Sequence, residues 1–383
     1  MVTKFYQHIL SMIFAVKEIN KNPKILPNLT LGLKIYDTYN KVQTTYHSTL
    51  NLLFKSHHFF LNYECDSNKK LIAVIGALAS ETSFDMAKIL SIYKIPQLTY
   101  ASFAQAKNEM KKFNSLYQMV SNEVYMYGGI ISLLKHFGWT WIGLFVANDD
   151  SGEQFLQRIE PLLSENGICL DFTEQIKNRG HFALEDEANL MIDHINHLVN
   201  YRKSRVFVLY GDTFLFTYMW YHTKLGAQRD QNNPMMGKVW ILTARIEFIL
   251  TGISQEEDLE MFQGAIAFMI HSNQPQGFWE FLQSIQPDWS EADDFLKDFW
   301  EEAFDCSAPN PRKKISGTCS EEKRLENLIA PSFEMDMTGP SYTIYNAVYA
   351  VAHALHVWYS SRINGRAMTY DEKDPFAECN FLR

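Results

Sequence analysis

Few side chains in this sequence stand at spacings that chemistry needs. His194 and His197 lie three apart, so one helix face could offer both to a metal. A zinc site needs three or four ligands, and neither a cysteine nor a third histidine is near; the plainer reading is a solvated helix face. His57-His58 lies in a polar stretch and reads the same way. Asp149, Asp150 and Glu153 follow an apolar run, Thr140 to Val146. They could bind a cation, or cap the next helix through Asp150 or Ser151, which is the simpler role. After Leu71 to Gly76 the turn reads Ala77-Leu78-Ala79-Ser80, with one glycine where a dinucleotide site wants three. Neither a phosphate loop of the GxxxxGK[ST] type nor a GxSxG elbow occurs, and no nucleophile stands beside a base. The chain is therefore not read as an enzyme, and no cofactor or metal is implied.

What remains are small polar residues beyond the carboxyl ends of strands, at Ala79-Ser80 and at Asp149-Asp150-Ser151-Gly152. In doubly wound sheets, ligands settle there. Ser80 opens a helix, where its hydroxyl and free N–H groups could hold an anion such as a carboxylate. An ordinary N-cap is the alternative for Ser80.

The elements that would position these residues alternate along the chain. Phe5, Ile9, Met12, Ile13, Val16 and Ile19 mark a helix over 4–20, ended by Asn22-Pro23. A strand is expected at Leu31–Tyr36, a helix at 43–55, a strand at Leu71–Gly76, a helix at 80–93 and a strand at Ile95–Tyr100. Helix 123–137, strand 140–146 and helix 152–165 follow, the last stopping at Asn166-Gly167. Next come strand 168–172, helix 186–200, strand 205–210, helix 213–226, strand 238–242 and strand 264–270. Helices near 277–285 and 291–304, a polar loop over 305–330 and a helix over 341–362 complete the pattern. Repeated β-α units imply parallel sheets covered on both faces. So many strands suit two α/β lobes better than one sheet, and no Gly/Ser-rich linker separates them.

The 383 residues suit two domains of ordinary size. A formal charge of −9 leaves no basic surplus to neutralise phosphates, which argues against nucleic acid as a partner. No apolar run reaches the ~18 residues of a bilayer span. Met1 to Ile9 reads as the opening of an amphipathic helix and not as a secretory leader. The five cysteines, Cys65, Cys169, Cys306, Cys319 and Cys379, are odd in number. Cys306 and Cys319 flank a polar loop that a disulfide could close, and Asn28-Leu29-Thr30 is a glycosylation sequon after Pro27. Together these lean towards an oxidising compartment.

Several segments resemble one family in order and spacing. They are Leu71 to Gly76 (LIAVIG), Ile95 to Phe103 (IPQLTYASF), His136 to Gly143 (HFGWTWIG) and Asp149 to Glu153 (DDSGE). Gly237 to Trp240 (GKVW), Phe299 to Phe304 (FWEEAF) and Ser341 to Leu355 (SYTIYNAVYAVAHAL) complete the set. Over nearly the whole chain they look like the extracellular ligand-binding region of vomeronasal type-2 receptors, class C G-protein-coupled receptors related to the calcium-sensing and metabotropic glutamate receptors. The resemblance implies an α/β fold of the periplasmic-binding-protein-like type I, with two doubly wound lobes forming a Venus flytrap. Lobe 1 would take 1–119 and 271–383, without its N-terminal strand, and lobe 2 would take 120–270. A ligand between the lobes would favour the closed form and signal through a seven-helix domain that this chain lacks, with the G protein engaged only there. The setting implied is the extracellular side of the plasma membrane, and the chain would be a receptor piece lacking segments at both ends. A dimer through lobe 1 is expected, with Leu50, Leu52, Leu53 and Phe54 at the place of pairing; as core residues they are equally well explained. Cys306 and Cys319 resemble an internal pair, Cys65 and Cys169 resemble cysteines whose partners lie in absent segments, and Cys379 has no partner in view.

The same resemblance places the pocket. In amino-acid-sensing relatives a carboxylate is held at the positions of Ser80 and Phe103, where Ser102 could substitute for Phe103. The ammonium is held by an acid at Glu123 and an aromatic at Ser151, and a further acid falls at Ala244. Only Ser80 and Glu123 keep the group in kind, which turns the expectation towards a peptide or other small molecule as well as an amino-acid-like ligand. Thr243 to Glu247 departs from the family's Thr-Ser-Gln-Trp-Asp pattern, and Arg245 sets a cation at the lobe-2 lip, where it could favour acidic ligands or be merely solvated. The rival readings are a stand-alone soluble binding protein for a small molecule or peptide, and a non-functional truncated fragment.

Overall fold

A computed structural model describes residues 3–39, 41–54, 71–101, 113–177, 185–229, 237–244, 262–286, 294–307, 319, 323–328 and 333–366. Among them, two parallel sheets organise the chain. The smaller holds β1 (Val74–Ile75), β2 (Gln97–Thr99) and β3 (Leu116–Gln118) in that order. The larger holds five strands in the order β5-β4-β6-β7-β8: β4 (Trp141–Ala147), β5 (Cys169–Ile176), β6 (Val206–Tyr210), β7 (Val239–Leu242) and β8 (Ile266–Ala267). Every ladder is parallel, as the repeated β-α rhythm requires.

The central strands of the larger sheet are apolar throughout because both faces are covered. In β6, Val206, Val208 and Tyr210 face one core and Phe207 and Leu209 the other. The first core is closed by α4 (Val124–His136) and α5 (Asp150–Glu165), through Tyr127, Ile130, Leu134, Phe155, Ile159 and Leu163. The second is closed by α6 (Glu185–Asn200) and α7 (Thr213–Arg229), through Ile195, Val199, Phe216, Met219 and Trp220. Helix α5 ends where the Asn166-Gly167 pair predicts, with Gly167 at φ 71° and Ile168 N–H returning to Leu163 O at 2.9 Å.

Around the smaller sheet the first and last described α-helices fold together. Helix α1 (Tyr6–Lys21) lies along α10 (Gly339–Arg366). One side of α1 packs Ala15, Val16 and Ile19 against Val348 and Ala352. The other packs Tyr6, Leu10 and Phe14 against α8 (Phe278–Gln283) and α9 (Asp294–Phe304). The buried Gln7 amide satisfies three backbone groups at once: Nε2 donates to Glu334 O (2.6 Å) and Asp336 O (2.8 Å), and Oε1 accepts from Thr338 N–H (3.0 Å). Cys306 and Cys319 form a disulfide at the edge of this core. The remaining helices, α2 (Val42–Leu53) and α3 (Ser80–Leu90), pack together, and Leu52 and Leu53 lie against Val74, Met86 and Leu90.

Two expectations are corrected, and one strand is added. Leu31–Tyr36 is not a strand; it is extended and alternates half-buried with exposed side chains, but joins no ladder among the described residues. Its period of two comes from Leu31 and Leu33 resting on the α1–α10 core, while Asn20 brackets it by bonds to Leu31 N and O, both 2.9 Å. The strand expected over 264–270 shrinks to Ile266–Ala267. β3 was not foreseen; its three residues carry too short an apolar pattern to stand out.

The turn from β4 to α5 is closely packed. A Cβ on Gly152 would lie 1.8 Å from Ala147 O and 2.9 Å from Val146 Cγ1. Gly152→Ala must push helix and strand apart and should cost about 3 kcal/mol, read as a lower midpoint in denaturant titration. His222, buried on α7, places Nδ1 2.8 Å from Tyr218 O, and burial holds its pKa below the ordinary 6.5. The unfolded ring takes a proton more readily, so stability should be full above pH 6.5 and fall as pH drops below it. His222→Gln should flatten that slope in melts across pH 5–7.

Candidate functional site

Two strand-to-helix turns, one from each sheet, meet. The first runs from β1 into α3 and is held by a buried polar network. Gln97, on β2, donates through Nε2 to Gly76 O (2.9 Å) and Ser83 O (3.0 Å). Ser83 Oγ accepts from Ala77 N–H at 3.1 Å and sits 2.9 Å from Ala79 O and 2.8 Å from Thr99 Oγ1. Such a network fixes residues 76–79 from the side of the sheet. Ser80, the first residue of α3, is thereby set in place and is 6% exposed.

The second turn runs from β4 into α5. Asp149 is its N-cap, accepting from Gly152 N–H at 2.7 Å. The cap is thus Asp149 and neither Asp150 nor Ser151; only Asp149 precedes the helix with extended backbone, as a cap requires. Ser80 is likewise no cap: Ala79 occupies that place and makes no side-chain cap bond. Both serine hydroxyls are left for each other, and Ser80 Oγ and Ser151 Oγ lie 3.0 Å apart.

One turn further along α5, Phe155 stacks face to face on Tyr210 at the carboxyl end of β6, with centroids 4.0 Å apart and planes within 7°. Tyr210 donates to Glu123 Oε2 at 2.8 Å, and Tyr127 donates to the same oxygen at 3.2 Å. Glu123 is 2% exposed. Burial first, and the Glu123 carboxylate second, push the Tyr127 phenol well above its ordinary pKa, so it stays a donor to Glu123 through the neutral range. Ala244 is half-buried just past β7, its N–H 3.5 Å from Met126 Sδ on α4.

Of the expected ligand residues, the structure joins Ser80 to Ser151 directly and links both to Glu123 through α5, Phe155 and Tyr210. Ala244 borders α4 from the other side. Ser102, Phe103 and Arg245 lie outside the described residues, as do Cys65, Cys379 and His57-His58. His194 pairs with Glu174 (3.1 Å) while His197 stacks on Tyr201, so the two histidines do not converge. Asn28 is exposed, and Cys169 is an exposed free thiol at the start of β5. Sequence reasoning missed Tyr127, Tyr210, Ser83 and Gln97. Their signals were present: Tyr127 stands four residues after Glu123 on one helix face, Tyr210 ends a strand, and Gln97 is polar within a buried strand.

Residues 9–382 match the profile of the receptor family ligand binding region. Vomeronasal type-2 receptor 26 of Mus musculus is 30% identical over 367 residues, which cover 94% of this chain and 41% of that receptor. The extracellular calcium-sensing receptor of Homo sapiens is 28% identical over 384 residues, 93% of this chain and 34% of the receptor. That of Sus scrofa is 28% identical over 392 residues, with 95% and 35% covered. The chain thus spans less than half the length of these relatives. No helix among the described residues is long and apolar enough to cross a membrane. With its parallel α/β sheets of the periplasmic-binding-protein-like type I and a family match over almost its whole length, the chain belongs to the receptor family ligand-binding region and has class C receptors as its relatives.

Proposed function

We propose that this chain is the ligand-binding part of a chemosensory class C receptor and that it performs no catalysis. In this reading 1–119 and 271–383 form lobe 1, 120–270 form lobe 2, and a pheromone-like small molecule or peptide binds between them. One observation carries the reading: Ser80 and Ser151, each in the first turn of a helix that follows a strand of a different sheet, meet across the space between the sheets at 3.0 Å. A group bound there would touch both units, and binding the closed arrangement more tightly than the open one is what drives closure. Ser80 offers a hydroxyl at a helix N-terminus, suited to a carboxylate, and Glu123 brings an acidic side chain to the start of α4. Closure would pass to a seven-helix domain, and through it to a G protein, in a receptor on the cell surface. Pairing of two copies would use lobe 1 near Leu50 and Phe54, both half-buried.

The test is a thermal-shift screen of the secreted chain against free amino acids and short peptides, followed by calorimetry. Ser80→Ala and Glu123→Ala should each weaken a hit about tenfold or more, the value of a hydrogen bond to a charged partner. Unchanged affinity in both variants removes the cleft assignment. Asn28 should carry a glycan in protein secreted from animal cells, seen as a loss of mass on peptide N-glycosidase treatment that Asn28→Gln abolishes.

A further inference from the structure

We propose that Ser80 and Ser151 form a latch that holds the two units together without ligand, so that Ser151 is an internal competitor for the hydroxyl a ligand must engage. The inference rests on the cleft being the functional site, but the contact itself needs no ligand to be observed. Serine has the shortest hydroxyl-bearing side chain, so a 3.0 Å separation brings the first turns of α3 and α5 into near contact. No group larger than a hydrogen-bonded proton stands between the two oxygens.

Neither partner is on a loose segment. Ser80 is braced from behind by the Gln97, Ser83 and Thr99 network, and Ser151 by the Asp149 cap and by Gly152 seated against Ala147 O. A bond between two braced groups loses little conformational freedom when it forms, so it keeps more of its strength than a bond between flexible surface chains. A neutral hydrogen bond of this kind shifts an open–closed ratio by roughly two- to tenfold. It therefore biases the equilibrium without fixing it, as a reversible device requires.

The latch also reaches the acidic cluster. Ser151 and Phe155 share α5, Phe155 stacks on Tyr210, and Tyr210 holds Glu123. Opening at Ser151 would move one end of a helix whose next turn is stacked on the residue that positions the carboxylate. A ligand acceptor that reaches the Ser80 hydroxyl while the units are apart takes the place of Ser151, and must more than replace its bond if the ligand is to favour the closed arrangement. A carboxylate does so with a charge-assisted bond, about twice as strong as the neutral one it displaces. Acidic groups should thus win the exchange, and neutral acceptors should gain little from it.

The test joins Ser80→Cys with Ser151→Cys in the full chain, purified without any added ligand and exposed to copper-phenanthroline. Non-reducing tryptic mapping reads the link between the peptide holding residue 80 and the peptide holding residue 151. The latch predicts that link in most molecules and its absence in each single variant. Failure to link, in protein whose melting is cooperative, overturns the latch. Should the double variant not fold, hydrogen exchange on Ser80→Ala and Ser151→Ala decides. Amides in the first turns of α3 and α5 should exchange two- to tenfold faster while those of β4 and β6 stay unchanged. Unchanged exchange at both turns overturns the proposal. A link that forms in a protein for which no ligand is ever found would leave the latch standing and count against the receptor reading alone.

Discussion

The carbonyl oxygen of Ala147 occupies space that any side chain on residue 152 would need. That close approach lets α5 begin directly off the end of β4, with Asp149 capping it and Ser151 in its first turn. Much of the site follows from it. Were the helix to start even one turn later, Ser151 would not meet Ser80, and Phe155 would not lie flat on Tyr210. A polar contact between two sheets thus depends on a steric constraint within one of them, and the same residue type that permits the approach leaves no tolerance for substitution.

The acidic cluster obeys a different logic. A carboxylate as buried as Glu123 is costly unless donors surround it. Two phenols converge on one of its oxygens, one from its own helix and one from the adjacent sheet. The arrangement welds α4 to β6 at the carboxyl edge of the sheet, where ligands of such folds are held. The carboxyl group is thereby held in a fixed direction, and one of the phenols that hold it is itself stacked on Phe155.

The larger sheet was legible because its signal is strong. Continuous apolar strands such as Val206 to Tyr210, alternating with amphipathic helices, leave little choice of architecture. The smaller sheet was harder. Its strands are two or three residues long, so β3 passed unseen, and Leu31–Tyr36 imitates a strand because one of its sides rests on helices. For the site, the family pattern supplied Ser80, Glu123 and Ser151 as separate positions. It could not supply the bond between the two serines, which depends on how the two sheets face each other. Nor could it supply Tyr127 and Tyr210, whose role arises from the packing of α4 on β6. Local pattern reveals which residues are polar at strand ends; only tertiary geometry reveals which of them are partners.

The embrace of α1 and α10 has a consequence for how the protein is made. Gln7 cannot satisfy its amide until Asp336 and Thr338 exist, more than 320 residues downstream. At ribosomal speeds of about 5–20 residues per second, that is a delay on the order of half a minute. Through most of it, the apolar faces of α1, with Leu10, Phe14 and Ile19, lack the partners on α8, α9 and α10 that bury them. The five-stranded unit, whose strands and helices are all contiguous in the chain, can complete its core first. Folding would then proceed from the middle outwards, with α1 among the last helices to be buried. The contacts of greatest sequence separation, those of α1 with the region of 334–352, then set the pace.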